Sequence, residues 1–183
     1  EKVVCVNPCA EIVLEPFELC NLSEMFMPHF DSKAEFLRTI KYAYLYSKAV
    51  TLLPTPWPEV NEVIVRNRRI GLSVTGVTQF LEDHSWNDLR SWLDEGYGEV
   101  QTWDEKYSSW LGVRPSIKTT SVKPSGTISL IAGVTPGDHW PTESGEYFRR
   151  QRFSIHDPMV GLFLDAGYHV EPDVMDPDFT VVV

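Results

Sequence analysis

The stretch Ile117-Lys118-Thr119-Thr120-Ser121-Val122-Lys123-Pro124-Ser125-Gly126-Thr127-Ile128-Ser129-Leu130-Ile131-Ala132 reads as a strand, a tight turn and a helix in succession. Ile117 to Val122 is rich in β-branched residues, which favour extended backbone. Pro124 and Gly126 break that pattern, and Ile128, Leu130, Ile131 and Ala132 begin a short helix. A glycine-containing turn at this junction leaves backbone N–H groups at a helix N-terminus, where the dipole favours an anion. Ser125, Thr127 and Ser129 add hydroxyl donors. The Gly-Lys-Ser/Thr ending of a Walker A loop is absent. On these residues alone, a capped helix after a strand and a phosphate cradle both fit.

Working outward, strands and helices alternate. Val3 to Phe30 carries Pro8, Pro16 and Pro28 and reads as a loop with short extended pieces. Asp31 or Ser32 caps a helix with Glu35 near its third position. Phe36, Ile40, Ala43, Tyr44, Ser47 and Val50 then form its buried stripe, and Pro54, Pro56 and Pro58 end it. A short helix over Glu59 to Asn67 precedes a strand around Ile70, Leu72 and Val74, and a second helix ends near Asp83. Ser85 caps a long helix whose Trp86, Trp92, Trp103, Tyr107 and Trp110 are read as packing residues. Gly96 and Gly98 predict a break in it. Tyr147 to Phe153 reads as a strand, Asp157-Pro158 opens a helix that Gly167 closes, and two short strands follow. This alternation predicts an α/β fold with a mainly parallel sheet.

The 183 residues suit one domain. Sixteen Lys+Arg against 26 Asp+Glu give a net charge of −10, which argues against general affinity for nucleic acid. No apolar run approaches the roughly 20 residues of a membrane-spanning helix. The chain starts at Glu1 and ends on the apolar strand pattern Phe179 to Val183, so it is expected to be an excerpt of a longer polypeptide.

Cys5, Cys9 and Cys20 all fall within the first 20 positions. They could be small buried hydrophobes, loose zinc ligands with His29, or thiols with redox or radical chemistry. Asn7-Pro8-Cys9-Ala10-Glu11 places an amide, a thiol and a carboxylate at alternate positions, which extended backbone would turn to one side. A carboxylate beside a thiol raises its pKa and disfavours a thiolate nucleophile. The pattern points to a thiol used in its neutral form, as a hydrogen-atom donor.

Asn7 to Glu11, followed by Leu19-Cys20-Asn21-Leu22, resembles the finger loop of ribonucleotide reductases. Lys123 to Ser129 with Ala132 to His139 is similar to their substrate-phosphate loop, and Arg66 to Val77 and Tyr147 to Phe153 resemble the same family. The nearest flavour is the adenosylcobalamin-dependent class, notably its monomeric ribonucleoside-triphosphate reductases. Gly126 supports that class, because the aerobic di-iron class typically carries Glu there. Glu11 and Cys20 separate the chain from the glycyl-radical class.

The resemblance implies that residues 1–183 are a later part of a ten-stranded α/β barrel with a central finger loop. It implies a thiyl radical at Cys9, a general base at Glu11 and a substrate-holding amide at Asn7. Cys20 would be one of two thiols that become a disulfide as the 2′ hydroxyl leaves as water, its partner lying earlier in the full polypeptide. Cys5 is the other candidate partner. Ser125, Gly126, Thr127, Ile128 and Ser129 would hold the substrate's phosphates. The cofactor implied is adenosylcobalamin, with most contacts outside these residues. The partners implied are a ribonucleotide substrate, thioredoxin or glutaredoxin, nucleotide effectors and the remainder of the polypeptide, in the cytoplasm. A thiol enzyme with Cys9 as nucleophile and a non-catalytic nucleotide-binding module are the alternatives.

Overall fold

Burial on both faces marks the strand β4 (Gly71–Thr75) as central: Gly71, Leu72, Ser73 and Thr75 are buried, and Ile70 before it is fully enclosed. In the computed structural model, which describes residues 4–139 and 150–183, β4 pairs in parallel with β3 (Leu22–Phe26). Leu22 lies opposite Gly71 and Phe26 opposite Thr75. Segment 117–123 runs along the other edge, with Ile70 N–H donating to the Lys118 carbonyl at 2.9 Å and Ser121 N–H to the Leu72 carbonyl at 3.0 Å. Only one bridge forms there, Leu72 with Thr120, so the strand expected over Ile117 to Val122 is an extended segment instead. Pro115 and Pro124, which lack N–H donors, bracket it and shorten any ladder.

The expected helices are present. Helix α1 (Lys33–Val50) starts at Ser32, whose hydroxyl accepts the Glu35 N–H, and it buries Phe36, Ile40, Tyr44 and Ser47. Helices α2 (Pro58–Asn67) and α3 (Val77–Asp83) flank β4 in sequence. Gly76 enters α3 with φ +75°, and a Cβ there would sit 2.6 Å from the Pro28 ring. Helix α4 (Trp86–Leu111) begins on a capping box between Ser85 and Asp88 and packs along α1. Its aromatic residues divide: Trp92 and Tyr107 are buried, whereas Trp86 and Trp110 are 72% and 69% exposed.

The break expected at Gly96 and Gly98 does not occur; α4 is continuous. A Cβ at Gly96 would lie 2.8 Å from the buried Phe36 ring, so close helix packing outweighs the poor helix propensity. Gly96→Ala is therefore expected to destabilise the protein by about 1–3 kcal/mol through overpacking. Gly98 is exposed with nothing within 4 Å of a Cβ, so Gly98→Ala is expected to stabilise by up to about 1 kcal/mol. Urea unfolding of the two variants checks this opposition of sign. Equal shifts would refute it.

Two elements frame the site. The strands β1 (Cys5–Val6) and β2 (Val13–Leu14) form an antiparallel hairpin, and helix α5 (Ile128–Ala132) follows the Pro124–Thr127 turn. These belong to a unit spanning Glu1–Pro141.

The second unit, Thr142–Val183, holds β5 (Arg152–Ser154), α6 (Pro158–Asp165), β6 (Glu171–Pro172) and β7 (Thr180–Val182). Asp157 caps α6 by accepting the Met159 N–H, as expected. The sheet order is β5-β7-β6 and entirely antiparallel, so the mainly parallel expectation fails here. The connection from β6 to β7 is too short for the crossover that parallel strands need. The strand expected over Tyr147 to Phe153 is observed from Arg152; Tyr147 to Arg149 lie outside the described residues.

Candidate active site

Reversing the chain between two-residue strands requires turn backbone, and residues 7–12 adopt it. Ala10 takes φ +60°, Ala10 N–H donates to the Asn7 carbonyl at 2.9 Å, and Asn7 N–H donates to the Ile12 carbonyl at 3.3 Å. The extended alternation expected for Asn7, Cys9 and Glu11 is thus absent, and a turn arranges them instead. Asn7 is buried, with Oδ1 accepting the Ile12 N–H at 3.2 Å. Cys9 stands exposed on the loop. Glu11 points inward, and its Oε2 is buried without a hydrogen-bond partner.

The hairpin is tied to its surroundings at both ends. Ser121 Oγ donates to the Glu11 carbonyl, joining the loop to the segment that leads into the Pro124–Thr127 turn. After β2, Glu18 accepts from Arg69 Nε and from Asn67 Nδ2, both at 2.9 Å. The Arg69 and Glu18 side chains are almost fully buried, which orders the chain just before Cys20.

Cys20 gathers the site. Burial pushes its thiol pKa up; the Glu11 charge and Cys9 push the same way, while Lys123 and a hydrogen bond with the Asn7 side chain oppose them. None of the three cysteines is disulfide-bonded or enclosed in the core, although Cys20 is partly covered, so the buried-hydrophobe reading does not hold for them. Cys5 donates to the Leu14 carbonyl across the hairpin at 3.1 Å.

Two clefts open beside these residues. A cleft of about 500 Å³ between α1, α4, β4 and segment 118–122 has Glu11 on a largely apolar wall with Phe36, Leu72 and Val100. A smaller one of about 230 Å³ has Cys20 on its wall with Tyr46, Ile64 and Arg69. Among the described residues, no histidine lines either cleft, and Cys9 lines neither. Residues 125–129 line neither cleft.

In the turn, Ser125 takes the left-handed conformation at φ +50° and is buried. Gly126 does not carry the positive φ, and a Cβ there would meet nothing within 4 Å. Gly126, Thr127 and Ile128 are exposed, and no side chain caps α5. Ser129 is fully buried, with its Oγ lacking a partner. Sequence reasoning missed two residues at this site: Lys123, whose charge reaches Cys20, and Glu24, which pairs with it at 3.2 Å. Lys123 stands beside the turn motif, but nothing in the pattern of β3 singles out Glu24.

Residues 1–88 match the ribonucleotide reductase barrel domain. Over 183 residues the chain is 49% identical to an adenosylcobalamin-dependent ribonucleoside-triphosphate reductase of Euglena gracilis, covering all of this chain and 25% of that protein. It is 48% identical to a probable adenosylcobalamin-dependent ribonucleoside-triphosphate reductase of Dictyostelium discoideum, over 91% of this chain and 22% of that protein. The chain thus spans about a quarter of the length of these relatives. A crystal structure of a B-12-dependent (class II) ribonucleotide reductase superposes with a TM-score of 0.76 at 30% identity, over 98% of this chain and 29% of that one. On the barrel-domain match over residues 1–88 and the identity to these relatives along the length of this chain, the chain belongs to the ribonucleotide reductase family.

Proposed function

We propose that this chain carries the thiol chemistry of an adenosylcobalamin-dependent ribonucleoside-triphosphate reductase, within a longer polypeptide. The observation that carries the reading is geometric: the turn of Asn7 to Glu11 points a buried, unpartnered Glu11 Oε2 inward and is tied through the Ser121 hydroxyl to the segment that runs into the Pro124–Thr127 turn. Cys9, as a thiyl radical, takes the hydrogen from the 3′ carbon of the ribose. Glu11 accepts the 3′ hydroxyl proton; its buried, unpartnered Oε2 has a lone pair available for it. Asn7 holds the substrate's hydroxyl groups. Cys20 and a second thiol beyond these residues give up two electrons and become a disulfide, as the 2′ hydroxyl departs as water.

Residues 125–129 hold the triphosphate through backbone N–H groups and the Ser125, Thr127 and Ser129 hydroxyls. Two features support this role: the orphaned Ser129 Oγ, and the open space at Gly126, where close approach of a ligand gives glycine a purpose. Adenosylcobalamin, when bound, supplies the one-electron chemistry that the Cys9 thiol requires. The exposed position of Cys9 on the loop fits a thiol approached by a group held elsewhere in the polypeptide. Thioredoxin or glutaredoxin would reduce the disulfide, and nucleotide effectors would act through segments outside this chain. Three free thiols suit the reducing conditions of the cytoplasm.

Cys20→Ser in the full-length protein separates substrate activation from reduction. With 3′-tritiated ribonucleotide, tritium is expected to wash into water while steady deoxynucleotide production stops. Wild-type turnover in this variant would overturn the assignment of Cys20. Residues 1–183 alone are expected to make no deoxynucleotide.

A further inference from the structure

In the ladder between β3 and β4, Glu24 lies directly opposite Ser73. Both reach across to one residue of the following segment. The Ser73 hydroxyl accepts the Lys123 backbone N–H at 2.9 Å, and Glu24 Oε2 accepts from Lys123 Nζ at 3.2 Å. The Glu24 side chain is fully buried, its other oxygen has no partner, and the Lys123 side chain is 18% exposed. Lys123 is therefore the cation that compensates a buried carboxylate, and losing it would leave that charge stranded.

The backbone of Lys123 is confined as well. Its carbonyl accepts from Ser125 Oγ at 3.4 Å, and a Cβ added at Gly137 would lie 3.1 Å from it. Two residues further on, Ser125 adopts the left-handed conformation that aims residues 126–129. A non-glycine residue holds that conformation only where its surroundings enforce it.

We propose that Lys123 and Glu24 are positioning residues of the phosphate turn, the Glu24–Ser73 pair gripping Lys123 at side chain and backbone and so setting the geometry of residues 125–129. This rests on reading that turn as the site that holds substrate phosphates. Burial raises the Glu24 carboxyl pKa, and Lys123 opposes the rise, in keeping with a carboxylate that depends on one cation.

The test is equilibrium binding of CTP and of cytidine to the full-length protein carrying Lys123→Met, Glu24→Gln or Lys123→Arg. Lys123→Met and Glu24→Gln are each expected to weaken CTP by at least about tenfold and leave cytidine unchanged, with Lys123→Arg within about threefold of wild type. A purely structural lesion would weaken both ligands alike, and that result overturns the proposal. So does loss of CTP affinity in Lys123→Met with none in Glu24→Gln, since the lysine would then touch phosphate directly. Unchanged binding in both variants overturns it too. Wild-type protein that binds CTP no better than cytidine defeats the phosphate reading itself, a result visible before any variant is made.

Discussion

Replacing Cys9 by serine in the full-length protein is expected to abolish deoxynucleotide formation, a loss of at least about 10⁴-fold. The argument is one of bond strength. A sulfur-centred radical takes hydrogen from a sugar carbon in a nearly balanced, reversible exchange, because S–H and activated C–H bonds are similar in strength. An O–H bond is much stronger, so a serine hydroxyl cannot be converted to the radical and later returned to it at useful cost. The substitution is nearly isosteric and falls on an exposed loop residue, so folding is expected to be unchanged. Deoxynucleotide yield over many turnovers with a dithiol reductant is the measurement. Residual activity within tenfold of wild type would remove Cys9 from the mechanism and return the nucleophile and binding-module readings to the front.

The second large effect concerns stability. Lys48 and Asp104 form an ion pair at 2.7 Å with side chains 0% and 5% exposed, joining α1 to α4. Asp104 Oδ1 also accepts from Tyr44 Oη at 2.8 Å, and its Oδ2 accepts the Ser116 N–H at 2.8 Å. Lys48 Nζ further donates to Ser116 Oγ at 2.9 Å and to the Arg114 carbonyl at 3.2 Å. Burial lowers the Lys48 pKa, and Asp104 opposes that. Asp104→Ala leaves the ammonium buried with no counter-charge and is expected to cost about 3–5 kcal/mol. Lys48→Met should cost a similar amount. The pair Lys48→Met with Asp104→Leu should recover much of the loss, because no lone charge remains. Native-state hydrogen exchange of α1 and α4 amides in the full-length protein reads these values locally. A single substitution costing under about 1 kcal/mol would show that water reaches the pair.

Much of this site was legible because its residues are neighbours in sequence. Asn7, Cys9 and Glu11 lie within five positions, and Ser125 to Ser129 within five more, so short motifs carried the family resemblance. The helix starts at Ser32, Ser85 and Asp157 were equally readable, since a cap is satisfied by residues two or three positions away. Errors fell where distant contacts outweigh local preference. Gly96 looked like a helix break until Phe36 was seen to need its space. The extended run from Ile117 lost most of its ladder to the prolines at its ends. Lys48 and Glu24 sit among helix- and strand-forming residues, and nothing beside them in sequence announces a buried charge.

The order of residues along the chain settles which groups are available: a thiol, an amide and a carboxylate on one loop, a second thiol nine to thirteen residues on from them, and a hydroxyl-rich turn much later. It also settles the helices and their starts, because those interactions close within a turn or two of backbone. Which of those groups meet is a matter of long-range packing. The loop of Asn7 to Glu11 meets the segment that leads into the phosphate turn because that segment lies along one edge of β4 while β3 lies along the other. Likewise, Glu24 finds its cation ninety-nine positions away. Such contacts form between segments whose separation no local pattern encodes, since each depends on excluding water from a face that several elements build together.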